Sequence, residues 1–353
     1  MDKERCIFHL DLDAFFAAVE ELDHPEWKEI PMALSGESKR GIITTANYKA
    51  REYGVHSAMP VYLALQQCPQ LKLVPMHRDR YRLLSRQVME ILESYSRRFE
   101  QSSIDEAYLD LTRRPEESLF LAHTIQDEVE EKTGLSISIG ISYNKFFAKL
   151  ASDWKKPRGI FVISSENWRE LLPPLSLEKI YGLGKAALAK LHQFGLHRLE
   201  DLYLLSREQL AGLLGKQGDL LYRRIRGEDQ DPVEPNRNRK SLGVERTFEE
   251  DISSPALLAK KVAVYSKMLS SDLKKENLLT QTVTLKVKSS DFRTFSRSRA
   301  LSAPTDSPEE LERIGRLLLQ EIPSNRSFRL LGLSASHLSS AGRRQMSFWD
   351  EEP

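Results

Sequence analysis

The sequence predicts an α+β multidomain protein, and three features of its patterning carry that reading. Through the first 170 or so residues, strand-like and helix-like periodicities alternate. From Pro173 to Gly227 the pattern is helical throughout, broken by Gly-containing turns. After a stretch with two prolines and no hydrophobic period, Asp231–Lys240, the order becomes strand, helix, strand, strand, helix, strand. A chain of 353 residues suits two or three such domains, each with its own core.

Each element has a local reason. Cys6–Leu12 is an apolar run of strand length, and Ala14–Glu21 follows as a helix with Asp13 placed as its N-cap. Residues 24–76 carry shorter, Pro-bounded elements, as expected of an inserted subdomain. Arg80–Arg98 has long helical periodicity, and Gln101–Ser103 and Glu106–Leu111 read as two strands meeting at a turn. Glu116–Lys132 is helical, Leu135–Ser142 alternates as a strand, Asn144–Asp153 is helical, and Gly159–Ile163 is a strand after the Pro157 turn. Beyond the linker, strands are expected at 242–249, 280–289, 291–299 and 328–337, with helices at 255–275 and 307–321, an order ferredoxin-like in type.

Composition narrows the function classes. No apolar run approaches the roughly 18 residues of a membrane span, and the charged start, Met-Asp-Lys-Glu-Arg, leaves no room for a signal peptide. Two cysteines, Cys6 and Cys68, supply neither a disulfide scaffold nor a cysteine zinc site, so a cytoplasmic setting is expected. The 52 basic and 51 acidic residues nearly cancel, yet nucleic-acid binding depends on local charge. That charge is uneven: 113–131 is mostly acidic, whereas 237–240 and 286–299 are mostly basic.

Three acids invite a chemical reading. Asp11 stands near the end of an otherwise apolar strand, where a carboxylate must be solvated, paired or bound to metal. Asp105 and Glu106 are adjacent between two strand-like runs, and both can serve one site only if they sit at the turn. Three carboxylates converging on strand ends would suit two Mg²⁺ ions in phosphoryl transfer. Taken alone, the same residues also read as a helix cap and a solvated turn. Tyr48 and Arg51, three apart in a short helical stretch, share a face and could meet a phosphate, or simply be surface polar residues. In Gly182-Leu-Gly184 the glycines would let backbone amides approach phosphates, or merely join two helices. Lys286, Lys288, Arg293, Arg297 and Arg299 repeat with a two-residue period, which makes one basic sheet face suited to a duplex backbone, or a solvated face.

The blocks Asp11-Leu-Asp-Ala-Phe-Phe16-Ala-Ala-Val-Glu, Thr45-Ala-Asn-Tyr48-Lys-Ala-Arg51 and Ser103-Ile-Asp-Glu-Ala-Tyr-Leu-Asp110 resemble the signature blocks of Y-family DNA polymerases of the bacterial DNA polymerase IV type. The resemblance continues through Asn144-Lys-Phe-Phe-Ala-Lys149, Lys156-Pro-Arg-Gly159, Gly182-Leu-Gly184 and Lys240-Ser-Leu-Gly-Val-Glu-Arg246, in order along nearly the whole chain. It implies a ferredoxin-like palm (1–23 and 77–170) with inserted fingers (24–76), and a helical helix-hairpin-helix thumb (171–230). A linker (231–240), a β-α-β-β-α-β little finger (241–338) and a flexible tail (339–353) complete it. It also implies a low-fidelity, template-directed polymerase without proofreading, acting in translesion synthesis and repair.

By the same resemblance, Asp11, Asp105 and Glu106 are the metal-binding acids, with the Leu12 carbonyl a further oxygen ligand for two Mg²⁺ ions, and Asp13 stays a helix cap. Thr45, Tyr48, Arg51 and Lys156 hold the incoming dNTP, and the Phe16 ring lies under its sugar, where a 2′-hydroxyl would clash. Gly182, Gly184, Lys240, Lys286, Lys288, Arg297 and Arg299 are expected on primer-template DNA. Gln345, Met346, Ser347, Phe348 and Trp349 resemble the pentapeptide by which bacterial polymerases bind their sliding clamp, and a monomer is expected. Leu34-Ser35-Gly36 departs from the two glycines that relatives often carry there. A nucleotidyl cyclase shares the palm and its metals but has no use for the helix-hairpin-helix, the basic domain or the tail. An inactive DNA-binding scaffold would have no use for three intact acids.

Overall fold

Residues 5–36, 40–112, 114, 117–235, 239–323 and 326–342 are described by a computed structural model. The chain divides into two compact units, one of Met1–Gly36 and Ile42–Asn236, the other of Glu37–Gly41 and Arg237–Pro353.

In the first unit, β1 (Ile7–Leu12) leads into α1 (Phe15–Asp23). Next come β2 (Met32–Ser35), β3 (Ile43–Ala46), α2 (Tyr48–Glu52), α3 (Val61–Gln67) and β4 (Lys72–Val74). They are followed by α4 (Arg78–Tyr95), β5 (Phe99–Gln101), β6 (Glu106–Asp110), α5 (Ser118–Thr133), β7 (Ile137–Ser142), α6 (Lys145–Ser152) and β8 (Ile160–Ile163). Helices α7 (Trp168–Leu171), α8 (Lys185–Gln193), α9 (Leu199–Tyr203), α10 (Arg207–Leu214) and α11 (Lys216–Ile225) end the unit.

The main sheet has the order β5-β6-β1-β7-β8, with β1 antiparallel to both neighbours. Without β8, this is the ferredoxin-like arrangement. Strand alternation explains why β1 reads as almost continuously apolar. Phe8, Leu10 and Leu12 join Leu84, Val88 and Ile125 in the main core. Ile7 faces the other way and packs with Tyr108 and with Ala148 of α6. His9 and Asp11 therefore share the α6 side. Residues 32–74 add a small sheet of order β3-β2-β4.

Two expectations are corrected in this unit. Asp13 does not cap α1: Ala14, in a left-handed conformation, precedes the helix, and no side chain caps it. Donors from distant segments claim the Asp13 carboxylate instead. The linker expected over 231–240 is also partly docked. Val233 is buried with Ile7, Tyr108 and Ala148, and the Glu234 amide donates to the buried Glu100 carboxylate at 2.9 Å. A valine inside a proline-bearing stretch carries no period, so its docking left no mark in the pattern.

The second unit runs β9 (Ser241–Ile252), α12 (Pro255–Lys275), β10 (Leu278–Ser289), β11 (Thr294–Thr305), α13 (Pro308–Gln320) and β12 (Phe328–Ser340). Every predicted element is present, but the sheet order β11-β10-β12-β9, antiparallel throughout, is not ferredoxin-like. The second and fourth strands are central here, whereas a ferredoxin-like sheet centres the first and third. Periodicity gives the sequence of elements along the chain but not which strands become neighbours.

Candidate active site

Antiparallel register sets Asp11 of β1 directly opposite Glu106 of β6. At the end of the same ladder, the Leu12 amide donates to the Asp105 carbonyl at 3.0 Å. The Ser103 hydroxyl lies 2.5 Å from an Asp105 carboxylate oxygen, which fixes the turn between β5 and β6. The backbone thus brings the three sequence-predicted acids to one end of the sheet.

Each acid on the α6 side carries a lysine. Lys156 Nζ lies 2.6 Å from Asp11 Oδ1 and 2.8 Å from Asp153. Lys149 Nζ lies 2.7 Å from Glu106 Oε1, and His9 Nε2 is 3.6 Å from the other oxygen. Burial pushes Asp11 up to about 7, against the pull of Lys156. Burial would raise Glu106 too, but hydrogen bonds from His9 and Lys149 outweigh it and hold that carboxyl well below its usual range. His9, fully buried, is pushed down to about 4 and is neutral at pH 7. Among the described residues, no three His, Cys, Asp or Glu side chains stand close enough together to hold an ion. The donor types nevertheless suit a hard divalent cation: carboxylate and carbonyl oxygens are gathered at one strand end.

Tyr48 and Arg51 open α2, whose start is fixed by the buried Asn47. Its side chain accepts from Ala50 N at 2.9 Å and Met32 N at 3.1 Å and donates to Glu21 at 2.9 Å. The Arg51 guanidinium stands 4.9 Å from the Tyr48 ring centre. Among the described residues the buried Tyr48 hydroxyl has no hydrogen-bond partner, and burial with the Asp13 charge pushes it up to about 12. Asp11 and Lys156 also act on it.

Phe16 is half-buried and stacks on Tyr81, with ring centres 4.5 Å apart, while its neighbour Phe15 lies in the core. The two rings line a cleft of about 340 Å³ with Thr44, Met76, Arg78 and Ile104. Thr44 borders this cleft, and Thr45, the predicted contact, is buried in β3.

The sequence profile of the impB/mucB/samB family matches residues 10–153, and that of the family's C-terminal domain matches residues 239–348. DNA polymerase IV 2 of Agrobacterium fabrum is 40% identical over 339 residues, covering 95% of each chain. The chain belongs to the Y-family DNA polymerases, of the DNA polymerase IV type. Among solved structures, a Y-family chimera of Dbh and Dpo4 superposes with a TM-score of 0.86 at 28% identity, covering 94% of this chain and 98% of its own. An insertion ternary complex of Dbh DNA polymerase matches at 0.68 and 27%, with the same coverage. The protein is thus a DNA-directed DNA polymerase of the low-fidelity, translesion class.

The DNA-side expectations fare unevenly in this polymerase. Gly182 takes φ 94°, open to glycine alone in practice, and Gly184 is the N-cap of α8, so the Gly-x-Gly turn is built as expected. Lys240 is exposed just before β9. The single basic face is corrected. Lys286 and Lys288 stand opposite Ser296 and Thr294, whereas Arg297 and Arg299 stand opposite the buried Leu285 and Val283. Cross-strand partners share a face, so the arginines belong to the helix-covered side at the sheet edge. Arg299 reaches Glu321, just past α13, at 2.7 Å. Gln345, Met346, Ser347, Phe348 and Trp349 lie outside the described residues.

Sequence reasoning overlooked Lys149, His9 and Tyr81. Two of them had a signal. Lys149 sits within the otherwise apolar run Phe146–Ala151 of α6, and His9 in a largely apolar strand, positions where polar groups need partners. Tyr81 looked like any core aromatic.

Proposed function

We propose that the polymerase adds dNTPs to a primer 3′-end through two Mg²⁺ ions held by the carboxylates of Asp11, Asp105 and Glu106 and the Leu12 carbonyl. The reading rests above all on the cross-strand pairing of Asp11 with Glu106 at the strand end that also bears Asp105. When bound, the ions supply positive charge to the triphosphate and lower the pKa of the primer hydroxyl. The chain's own residues do the rest. The unpartnered Tyr48 hydroxyl donates to a phosphate oxygen, and Arg51 and Lys156 neutralise the triphosphate. The Phe16 ring, braced on Tyr81, lies beneath the deoxyribose and excludes a 2′-hydroxyl. Thr45, largely buried in β3, offers its hydroxyl to the same nucleotide.

In this reading, residues 1–23 with 77–170 are the palm, 24–76 the fingers, 171–230 the thumb and 241–338 the little finger. The Gly182–Gly184 turn and the second unit hold primer-template DNA, a reading in keeping with the similarity to an insertion ternary complex of Dbh DNA polymerase. The 345–349 segment engages a sliding clamp. The protein acts as a cytoplasmic monomer, and no helix among the described residues is long and apolar enough to cross a membrane. Primer extension with Mg²⁺ and dNTPs tests the core of this proposal. Templated extension supports it, whereas duplex binding without extension leaves only a scaffold. For the tail, deletion of 345–353 should abolish stimulation by a loaded clamp and spare distributive insertion. Full stimulation of the truncated chain would remove the clamp assignment.

A further inference from the structure

Asp13 is the buried acid left without a task once it is no longer a helix cap. The residue is 2% exposed. Three donors from two distant segments converge on it: the Ser138 hydroxyl at 2.7 Å on Oδ1, and the Ser136 hydroxyl at 2.9 Å and the Arg158 amide at 2.8 Å on Oδ2. A carboxylate is the only side chain of this size that accepts all three without offering a proton in return.

The Arg158 amide belongs to the turn that carries Lys156. That turn is held at three backbone groups. Arg158 N is tied to Asp13, Gly159 N reaches the Ser138 hydroxyl at 3.3 Å, and Gly159 O accepts from Ile139 N at 2.8 Å. The Arg158 side chain adds ion pairs to Glu130 at 2.7 Å and Asp127 at 2.8 Å on α5. The turn is also wound tightly, since a Cβ on Gly159 would stand 2.2 Å from the Lys155 carbonyl oxygen. A single residue, Pro157, separates the amide held by Asp13 from Lys156, whose ammonium rests 2.6 Å from Asp11. With so short a lever, the Asp13 carboxylate fixes the backbone from which Lys156 reaches the acidic end of the sheet.

We propose that Asp13 is a positioning residue for nucleotide binding: by accepting the Arg158 amide, it sets where the Lys156 ammonium stands. The inference rests on the reading of Lys156 as a triphosphate contact. Both Asp13 carboxylate oxygens are already taken by protein donors, so in this reading it does not contact the nucleotide itself. It acts through the turn, and Ser138 is its partner in doing so.

Asp13→Asn tests this with little change in size, because the amide leaves a single acceptor oxygen for three donors and turns its NH₂ against one of them. Steady-state single-nucleotide insertion by the full chain should show the dNTP KM rising about tenfold, the scale of one charge-assisted hydrogen bond. Primer-template affinity should stay unchanged. Ser138→Ala should raise KM in the same direction by about threefold, as a neutral hydrogen bond does. Lys156→Ala alone should raise KM, and adding Asp13→Asn to it should raise KM no further, since both act on one contact.

A merely structural Asp13 would lower the melting temperature and the active fraction and leave KM alone, and that result overturns the inference. So would KM effects of Asp13→Asn and Lys156→Ala that multiply. If Asp13→Asn fails to fold, Ser138→Ala with and without Lys156→Ala decides, and an unchanged KM overturns the inference. If Lys156→Ala raises KM while both network variants leave it unchanged, Asp13 is not the positioner. A Lys156→Ala enzyme with wild-type KM would instead remove the Lys156 reading, and the inference with it.

Discussion

The two units contain sheets threaded in the same β-α-β-β-α-β order, yet they present opposite kinds of polar surface. In the first, β1 is central and covered on both faces, so the polar groups it carries on the α6 side, His9 and Asp11, are each matched to named partners. In the second, α12 and α13 cover one face and leave the other to small hydroxyls such as Thr284 and Ser298, which bond to each other at 2.8 Å. Two lysines rise from that open face, and one of them, Lys286, pairs with Glu245 at 2.8 Å. The contrast teaches where function is concentrated and where it is spread. A buried acid strengthens every interaction around it, so a single substitution should be decisive. An exposed face in high dielectric works by the sum of weak contacts, so single substitutions should be mild.

The strongest test of that contrast is removal of an acid. Asp105→Ala or Glu106→Ala should lower primer extension by more than about 1000-fold, since charge stabilisation worth several kcal/mol is lost with a metal ligand. Duplex affinity, measured by fluorescence anisotropy, should stay within about twofold, because phosphate contacts elsewhere supply it. Substantial extension by either variant would end the two-metal assignment.

Next in size is the aromatic wall. Phe16→Ala opens the cleft beside Tyr81, and the preference for dNTP over rNTP should fall by about 100-fold, roughly 2.7 kcal/mol of steric discrimination. Insertion of dNTP should fall only modestly. Unaltered sugar discrimination in competition assays would return Phe16 to a packing role.

A third test uses protons against metal. With Asp11 pushed up to about 7, the metal-free site carries a proton there below that pH, and a cation must displace it. The Mg²⁺ concentration for half-maximal insertion should therefore rise as pH falls, by about tenfold between pH 8 and pH 6. The sign is fixed: a raised carboxyl pKa makes the acid side the metal-poor side. A Mg²⁺ requirement that is flat across this range would mean that Asp11 is ionised throughout.

How much of this was legible depended on the distance over which each contact is made. Asp11 was readable because a charge in an apolar strand is anomalous within six residues, and Glu106 because its turn is local. The role of Asp13 was not, since its donors come 123 to 145 residues later, and a short Asp before a helix has a ready local explanation. Tyr81 is hidden for a related reason. Its hydroxyl bonds the buried Glu20 of α1 and its ring supports Phe16, but its spacing to Leu84 and Val88 is that of a core residue. In the second unit, periodicity found all six elements, and strand order escaped because it depends on which edges meet.

The basic residues of the second unit give the mildest test, and the hairpin between β10 and β11 dictates its form. A two-residue period exists along each strand, but the phase between strands is set by register. Lys288 pairs with Thr294 and Lys286 with Ser296, so even-numbered residues face even-numbered ones, and the odd-numbered Arg297 and Arg299 fall on the other side. The lysine pair and the arginine pair are thus two experiments. Replacing Lys286 and Lys288 by Ala should weaken binding to all duplex sequences alike. The slope of log affinity against log salt should become shallower by between about one and two, the upper bound being reached if both contact phosphates. The Lys286–Glu245 pair argues for a value below that bound, since a lysine already neutralised by a carboxylate releases less counterion. Replacing Arg297 and Arg299 should change the slope less, because Arg299 is engaged by Glu321 on the helix side. An equal slope change for both pairs would mean that DNA wraps the β11 edge and meets both faces. No change for the lysines would mean that the open face is only solvated, and the arginine edge would then carry whatever DNA contact this sheet makes.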